Sequence, residues 1–207
     1  CGQCRARCPE ASISFYSRKV DFQHILPQCL AAGAENIELH AIIEDDVSVL
    51  ADWRIIERLV PDHFISMCLD RSYLSDTRLI ERIGQVYDIS GDRTIIQADG
   101  APMSGGQDDF NTTLQAVAIA DIVNKSGIPV QLLGSGGTNS RTSELASRCG
   151  VPLNGVSVGT FARKKVRHLV VDNDFDANLD KIRQAVDIAG EIVKNNLSWL
   201  ETDVVLP

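Results

Sequence analysis

The 207-residue chain carries 28 acidic and 20 basic side chains, a net charge of −8, with 44% hydrophobic and 23% charged residues. That balance belongs to an ordinary folded domain and excludes a disordered or low-complexity chain, and the acidic surplus argues against binding nucleic acid through the phosphate backbone. No apolar run reaches the roughly 18 residues that span a bilayer and no signal pattern opens the sequence, so a cytoplasmic protein is expected.

Taken in chain order, the first feature is Cys1, Cys4 and Cys8-Pro9. These match the last three cysteines of the bacterial ferredoxin run C-x2-C-x2-C-x3-C-P, whose short spacings let the chain wrap a cubane cluster closely. Gly2 suits the approach of backbone amides to the sulfurs. A zinc ribbon would need a second close Cys/His pair, which the sequence lacks, and a thioredoxin-type pair would need a preceding apolar strand. Cys1, Cys4 and Cys8 are therefore read as ligands of [4Fe-4S] clusters. In two-cluster ferredoxins the cysteine before the proline serves the other cluster, so Cys8 points to a second one and the ligand set here is incomplete. Beginning on Cys1 fits a truncated ferredoxin-type domain over residues 1–15, followed by a second domain over 16–207. Cys29, Cys68 and Cys149 lie singly in apolar surroundings and are expected to be buried thiols without chemistry.

Beyond Ile13, apolar segments recur about every 30 residues, the length of a βα unit. Strands are predicted over 36–43, 63–69, 94–98, 129–133 and 155–159. Helices are predicted near 21–32, 48–60, 76–84, 109–125 and 140–149. A last helix is marked by Ile182, Ala185, Val186, Ala189, Ile192 and Val193, spaced as one apolar stripe. Gly33, Gly127 and Gly150 each follow a helical pattern, where a left-handed cap is wanted. The basic cluster Arg163, Lys164, Lys165 and Arg167 reads as a solvated turn. The fold class is thus α/β with a parallel sheet, either doubly wound or the C-terminal part of a TIM-like (β/α)8 barrel.

Glycine at the ends of the last two strands favours the barrel, making the five strands about numbers 4 to 8. Loops after the last two barrel strands often cradle a phosphate with bare backbone amides and a helix N-terminus, which makes Gly136, Gly137, Gly159 and Thr160 a candidate site for a phosphorylated or flavin ligand. Tight turns and helix caps explain the same glycines equally well. Strand ends also select Asp99, His40 and Asp70 as weak catalytic candidates, with Asp99 at the head of the unusual segment Gln97-Ala98-Asp99-Gly100-Ala101-Pro102-Met103-Ser104-Gly105-Gly106. No acid–base pair, nucleophile elbow or metal-binding His pair stands out, so the balance leans away from an enzyme.

The segments CGQCRARCPEASI, FQHILPQCLAAGAENIELHA, IIQADGAPMSGG, LLGSGGTNS and GVSVGTFARK together resemble the light-dependent period modulator A family of cyanobacteria, as a ferredoxin tail joined to the family's C-terminal domain. The resemblance implies two [4Fe-4S] clusters whose redox state reports photosynthetic electron flow to the circadian clock, with clock and clock-input proteins as partners. By position it carries over Cys1, Cys4 and Cys8 as cluster ligands and transfers no catalytic residue. Two functions follow as expectations: an iron–sulfur redox-sensing regulator, or a barrel oxidoreductase passing electrons from the clusters to a flavin or phosphorylated ligand.

Overall fold

A computed structural model describes residues 5, 7–14, 20–100 and 109–200, with the side chains of residues 109 and 110 excepted. Five strands, β1 (Asn36–His40), β2 (Phe64–Leu69), β3 (Thr94–Asp99), β4 (Gln131–Ser135) and β5 (Gly155–Val156), pair in parallel and lie in the order β1-β2-β3-β4-β5. Helices α1 (Phe22–Ala31), α2 (Asp46–Leu59), α3 (Asp76–Ser90), α4 (Asp109–Ser126), α5 (Thr142–Arg148), α6 (Thr160–Val170) and α7 (Leu179–Leu200), with short 3-10 turns at Gly91–Arg93 and Phe175–Ala177, complete the order of elements among the described residues. A doubly wound sheet reverses its strand order; a strictly sequential one does not. The chain therefore has a TIM-barrel-like succession of βα units, with its helices on one face.

The residues of that face explain why. Ile37 and Leu39, Ile65, Met67 and Leu69, Ile96 and Ala98, and Leu132 alternate along their strands and pack against Val49, Trp53, Ile56, Leu79, Ile83, Val117 and Ala120 of α2, α3 and α4. Each fully buried aliphatic side chain contributes about 1.5–3 kcal/mol of transfer free energy. Helix starts are capped as the sequence requires: Asp21 accepts from the backbone of Gln23 at 3.1 Å, Asp45 from Ser48 at 3.1 Å, and Ser75 from Arg78 at 3.4 Å. Gly33, Gly127 and Gly150 all take positive φ where their helices end, the left-handed caps expected of them.

Three expectations change. The predicted helix at 76–84 runs on to Ser90 through Gly84, because Leu79, Ile83 and Val86 keep one buried stripe going past the glycine. The basic cluster is no turn: Arg163, Lys164, Lys165 and Arg167 lie within α6, where Lys165 sits over the Phe161 ring at 5.2 Å. In α7 the stripe faces inward only in part, since Val186 and Val193 are exposed. The helix docks instead through Ile192 and Asn196, whose Oδ1 accepts from the Ser143 hydroxyl of α5 at 2.9 Å. No helix among the described residues is long and apolar enough to cross a membrane.

Candidate functional site at the carboxyl ends of the strands

The face of the sheet turned away from the helices carries a ladder of polar side chains among Phe64, Ile95 and Leu133. Side chains alternate across a strand, so Asn36, Glu38 and His40 share this face of β1. Register then brings Glu38 beside Ser66, His40 beside Cys68, Cys68 beside Gln97, and Asp99 beside Ser135. Hydrogen bonds run across four strands. Asn36 donates to the Ser66 hydroxyl at 3.0 Å, Gln97 donates to Glu38 Oε2 at 2.6 Å and to Ser66 at 3.1 Å, and Ser135 donates to Gln97 Oε1 at 3.2 Å.

At the carboxyl end of this ladder His40 Nε2 lies 2.6 Å from Glu38 Oε1, and the Cys68 thiol donates to Asp99 Oδ2. Cys68 and Asp99 are each 1% exposed, whereas the His40 side chain is 59% exposed. Burial, followed by the negative charge of Asp99, pushes the Cys68 thiol far above its ordinary range, and Glu38 and Asp70 add to the effect. The thiol therefore stays protonated and is no activated nucleophile. Burial likewise raises the Asp99 carboxyl, against the pull of Cys68 and Ser135 beside it. Asp99 Oδ1 is buried and has no hydrogen-bond partner among the described residues.

Of the sequence candidates, Asp99 and His40 join this cluster. Asp70 is buried at the end of β2 but turns to the Ser72 backbone amide at 2.8 Å and to the Ser72 hydroxyl at 3.0 Å, while Arg71 pairs with Asp76 at 2.8 Å. Gly136 and Gly137 follow β4 with φ of +51° and +69°. A Cβ on Gly136 would stand 2.9 Å from the Asp99 carboxyl, and one on Gly137 would stand 2.3 Å from Thr112 Cβ. These glycines are thus required for packing, and the Gly137 carbonyl accepts from Thr112 and Thr113 at 2.8 and 3.1 Å. Gly159 caps α6, with Thr160 its first residue, accepting from the Arg163 guanidinium at 3.0 Å. Cys8 is partly exposed and places its sulfur 3.3 Å from the Ser12 hydroxyl. Cys1 and Cys4 lie outside the described residues, as do residues 101–106 of the glycine-rich segment.

Sequence reasoning missed Glu38 and Cys68. The signal was present in Asn36-Ile37-Glu38-Leu39-His40, where every second residue is polar, but the meeting with Cys68 depends on inter-strand register. The expectation of buried thiols is met at Cys68, which lies buried against a carboxylate, and fails at Cys149, which is exposed, and at Cys29, which is only partly buried.

Comparison with known proteins agrees with this architecture. The family described as Light dependent period A C-terminal domain matches residues 30–196. A protein named Light dependent period A, from Synechococcus elongatus, is 28% identical over 148 residues; the match takes in 69% of this chain and only 40% of that protein. The crystal structure of the YdjI aldolase from Escherichia coli K12 superposes with a TM-score of 0.54 over 85% of this chain and 62% of its own, at 12% identity. At that identity the likeness concerns the fold alone.

Proposed function

Because the chain belongs to the light dependent period A C-terminal domain family, we propose that it is part of a light-dependent, period-related regulator of cyanobacteria that senses redox state through iron–sulfur clusters. In this reading residues 1–15 end a ferredoxin-type domain. Residues 16–207 supply about strands 4 to 8 of a (β/α)8 barrel that acts as a scaffold for cytoplasmic clock and clock-input partners. The observation that carries it is the coincidence, on one chain, of that family match with the Cys1, Cys4 and Cys8-Pro9 spacing.

Cys8 suits the role of cluster ligand. Hydrogen bonds from Ser12, side chain first and then backbone, hold its thiol below the ordinary range, toward the thiolate that binds iron. Its partly exposed position leaves room for a cluster at the surface. Cys1 and Cys4 would hold one cluster and Cys8 the other, and the clusters would supply one-electron redox chemistry. The protein's own part is to fix the thiolates and to couple their surroundings to a partner surface.

The test uses the full-length protein purified without oxygen. Iron and acid-labile sulfide consistent with two four-iron clusters, partner binding that changes on reduction, and loss of one cluster in Cys8→Ser are expected. Absence of iron, or partner binding indifferent to reduction, would remove the sensor reading. A bound flavin with turnover would replace it by an oxidoreductase.

A further inference from the structure

Glu38, His40 and Cys68 come from two adjacent strands, and one donor atom from each lies within 4.8 Å of the other two. In a tetrahedral zinc site, bonds of about 2.0–2.3 Å put the ligand atoms about 3.3–3.8 Å apart. The three donors are thus within small side-chain adjustments of a common centre. They are a carboxylate, an imidazole and a sulfur, a set that suits borderline-soft divalent ions and not magnesium or calcium.

A second, independent observation concerns Asp99. Its side chain, 99% buried by its 1% exposure, reaches Cys68 through Oδ2 and leaves Oδ1 without a partner among the described residues. No Lys or Arg pairs with Asp99 or Glu38 among those residues; the ion pair of Glu38 is with His40. Buried carboxylate charge without a counter-ion is costly. A cation centred beside Cys68 would offset it, and Asp99 stands where it can accept the proton that the thiol gives up on binding metal.

The geometry points to a binding site for a zinc-class divalent cation, held by Glu38, His40 and Cys68 and flanked by Asp99, at the carboxyl ends of β1, β2 and β3. Three protein donors leave the fourth position open, the arrangement of metal sites that take a water or an anionic ligand. It shares no residue with the cluster cysteines, so it stands or falls independently of the redox-sensor reading.

The experiment uses the 207-residue chain with Cys1, Cys4 and Cys8 changed to Ser, so that cluster ligands cannot contribute, stripped by chelator and titrated with Co(II). One cobalt per chain with a thiolate-to-cobalt charge-transfer absorption is expected, displaced by zinc and abolished in Cys68→Ser. His40 is exposed, so His40→Ala leaves the fold intact; it should weaken binding at least about tenfold, the loss produced even by outer-shell partners of a ligand. No cobalt bound, a charge-transfer absorption that survives Cys68→Ser, or unchanged affinity in His40→Ala would each overturn the site.

Discussion

Arg82 carries a full charge into the core, where every guanidinium nitrogen finds a partner and both Nε and Nη2 reach Asp46 Oδ1. Nε donates to Asp46 at 2.6 Å, Nη1 to the Ala41 carbonyl at 2.6 Å and Nη2 to the Ile43 carbonyl at 2.8 Å. Arg78 adds a bond to Asp46 at 2.5 Å and one to the Glu44 carbonyl at 2.8 Å. The fork geometry of arginine makes this possible, and a lysine could not replace it. Together the two arginines hold the segment that leaves β1 just past His40. Burial alone would raise the Asp46 carboxyl; the bonds from Arg78 and Arg82 outweigh it and hold the group below the ordinary carboxylate range. A depressed folded-state value means stability that is present above the unfolded value of about 3.9 and lost as pH falls through the lower folded one. Asp46→Asn should therefore be less stable than the parent at pH 6, with the gap closing as pH drops below about 4. Urea unfolding across that range measures it, and a gap that does not change with pH would refute the assignment.

Among the elements, the ends of β3 and β4 interlock through glycines. A Cβ on Gly100 would stand 1.9 Å from the Thr112 carbonyl oxygen, and the Gly100 amide donates to the Gly136 carbonyl at 3.0 Å. Gly137 presses on the Thr112 side chain from the other side at positive φ. Gly137→Ala should cost about 2–4 kcal/mol, from backbone strain and overpacking together. Gly84→Ala lies mid-helix, with its new Cβ 3.8 Å from Ile128 Cδ1, an ordinary contact, and should stabilise by about 0.5–1 kcal/mol. Thermal unfolding of the two variants should move in opposite directions; a shared sign would contradict the packing described here. The sequence shows LLGSGGTNS as a turn following a strand, but it cannot tell a glycine needed for a ligand from one needed for Thr112. The helix α6, which rests against α7, was legible in Ala162, Val166 and Leu169 at i, i+4 and i+7, but the Arg163-Lys164-Lys165 run between them reads as a solvated turn.

For the molecule as a whole, strand order sets where stability resides. β2 and β3 are paired on both sides and almost wholly buried, while β1 alternates between exposed and partly buried and β5 has only two residues. Amide exchange should be slowest in Ile65–Leu69 and Ile95–Ala98, approaching the global unfolding limit, and faster in Asn36–His40 and Gly155–Val156. Equal protection across all five strands would refute that gradient. The five strands were legible as short segments between turn signals, β1 by alternation and β2 and β3 as apolar runs, although β1 and β5 end sooner than predicted, at His40 and Val156; their parallel pairing followed from the alternating helices. The polar ladder was not legible, since Glu38, Cys68, Gln97 and Asp99 meet only once register aligns strands about thirty residues apart. The glycine interlock also has a mechanical consequence. The exits of β3 and β4 are geared together through Gly100, Thr112 and Gly137, so neither can swing without dragging the other. A molecule that settles at one strand end will be felt at the next, and substitutions at the two ends should fail to add in double-mutant cycles.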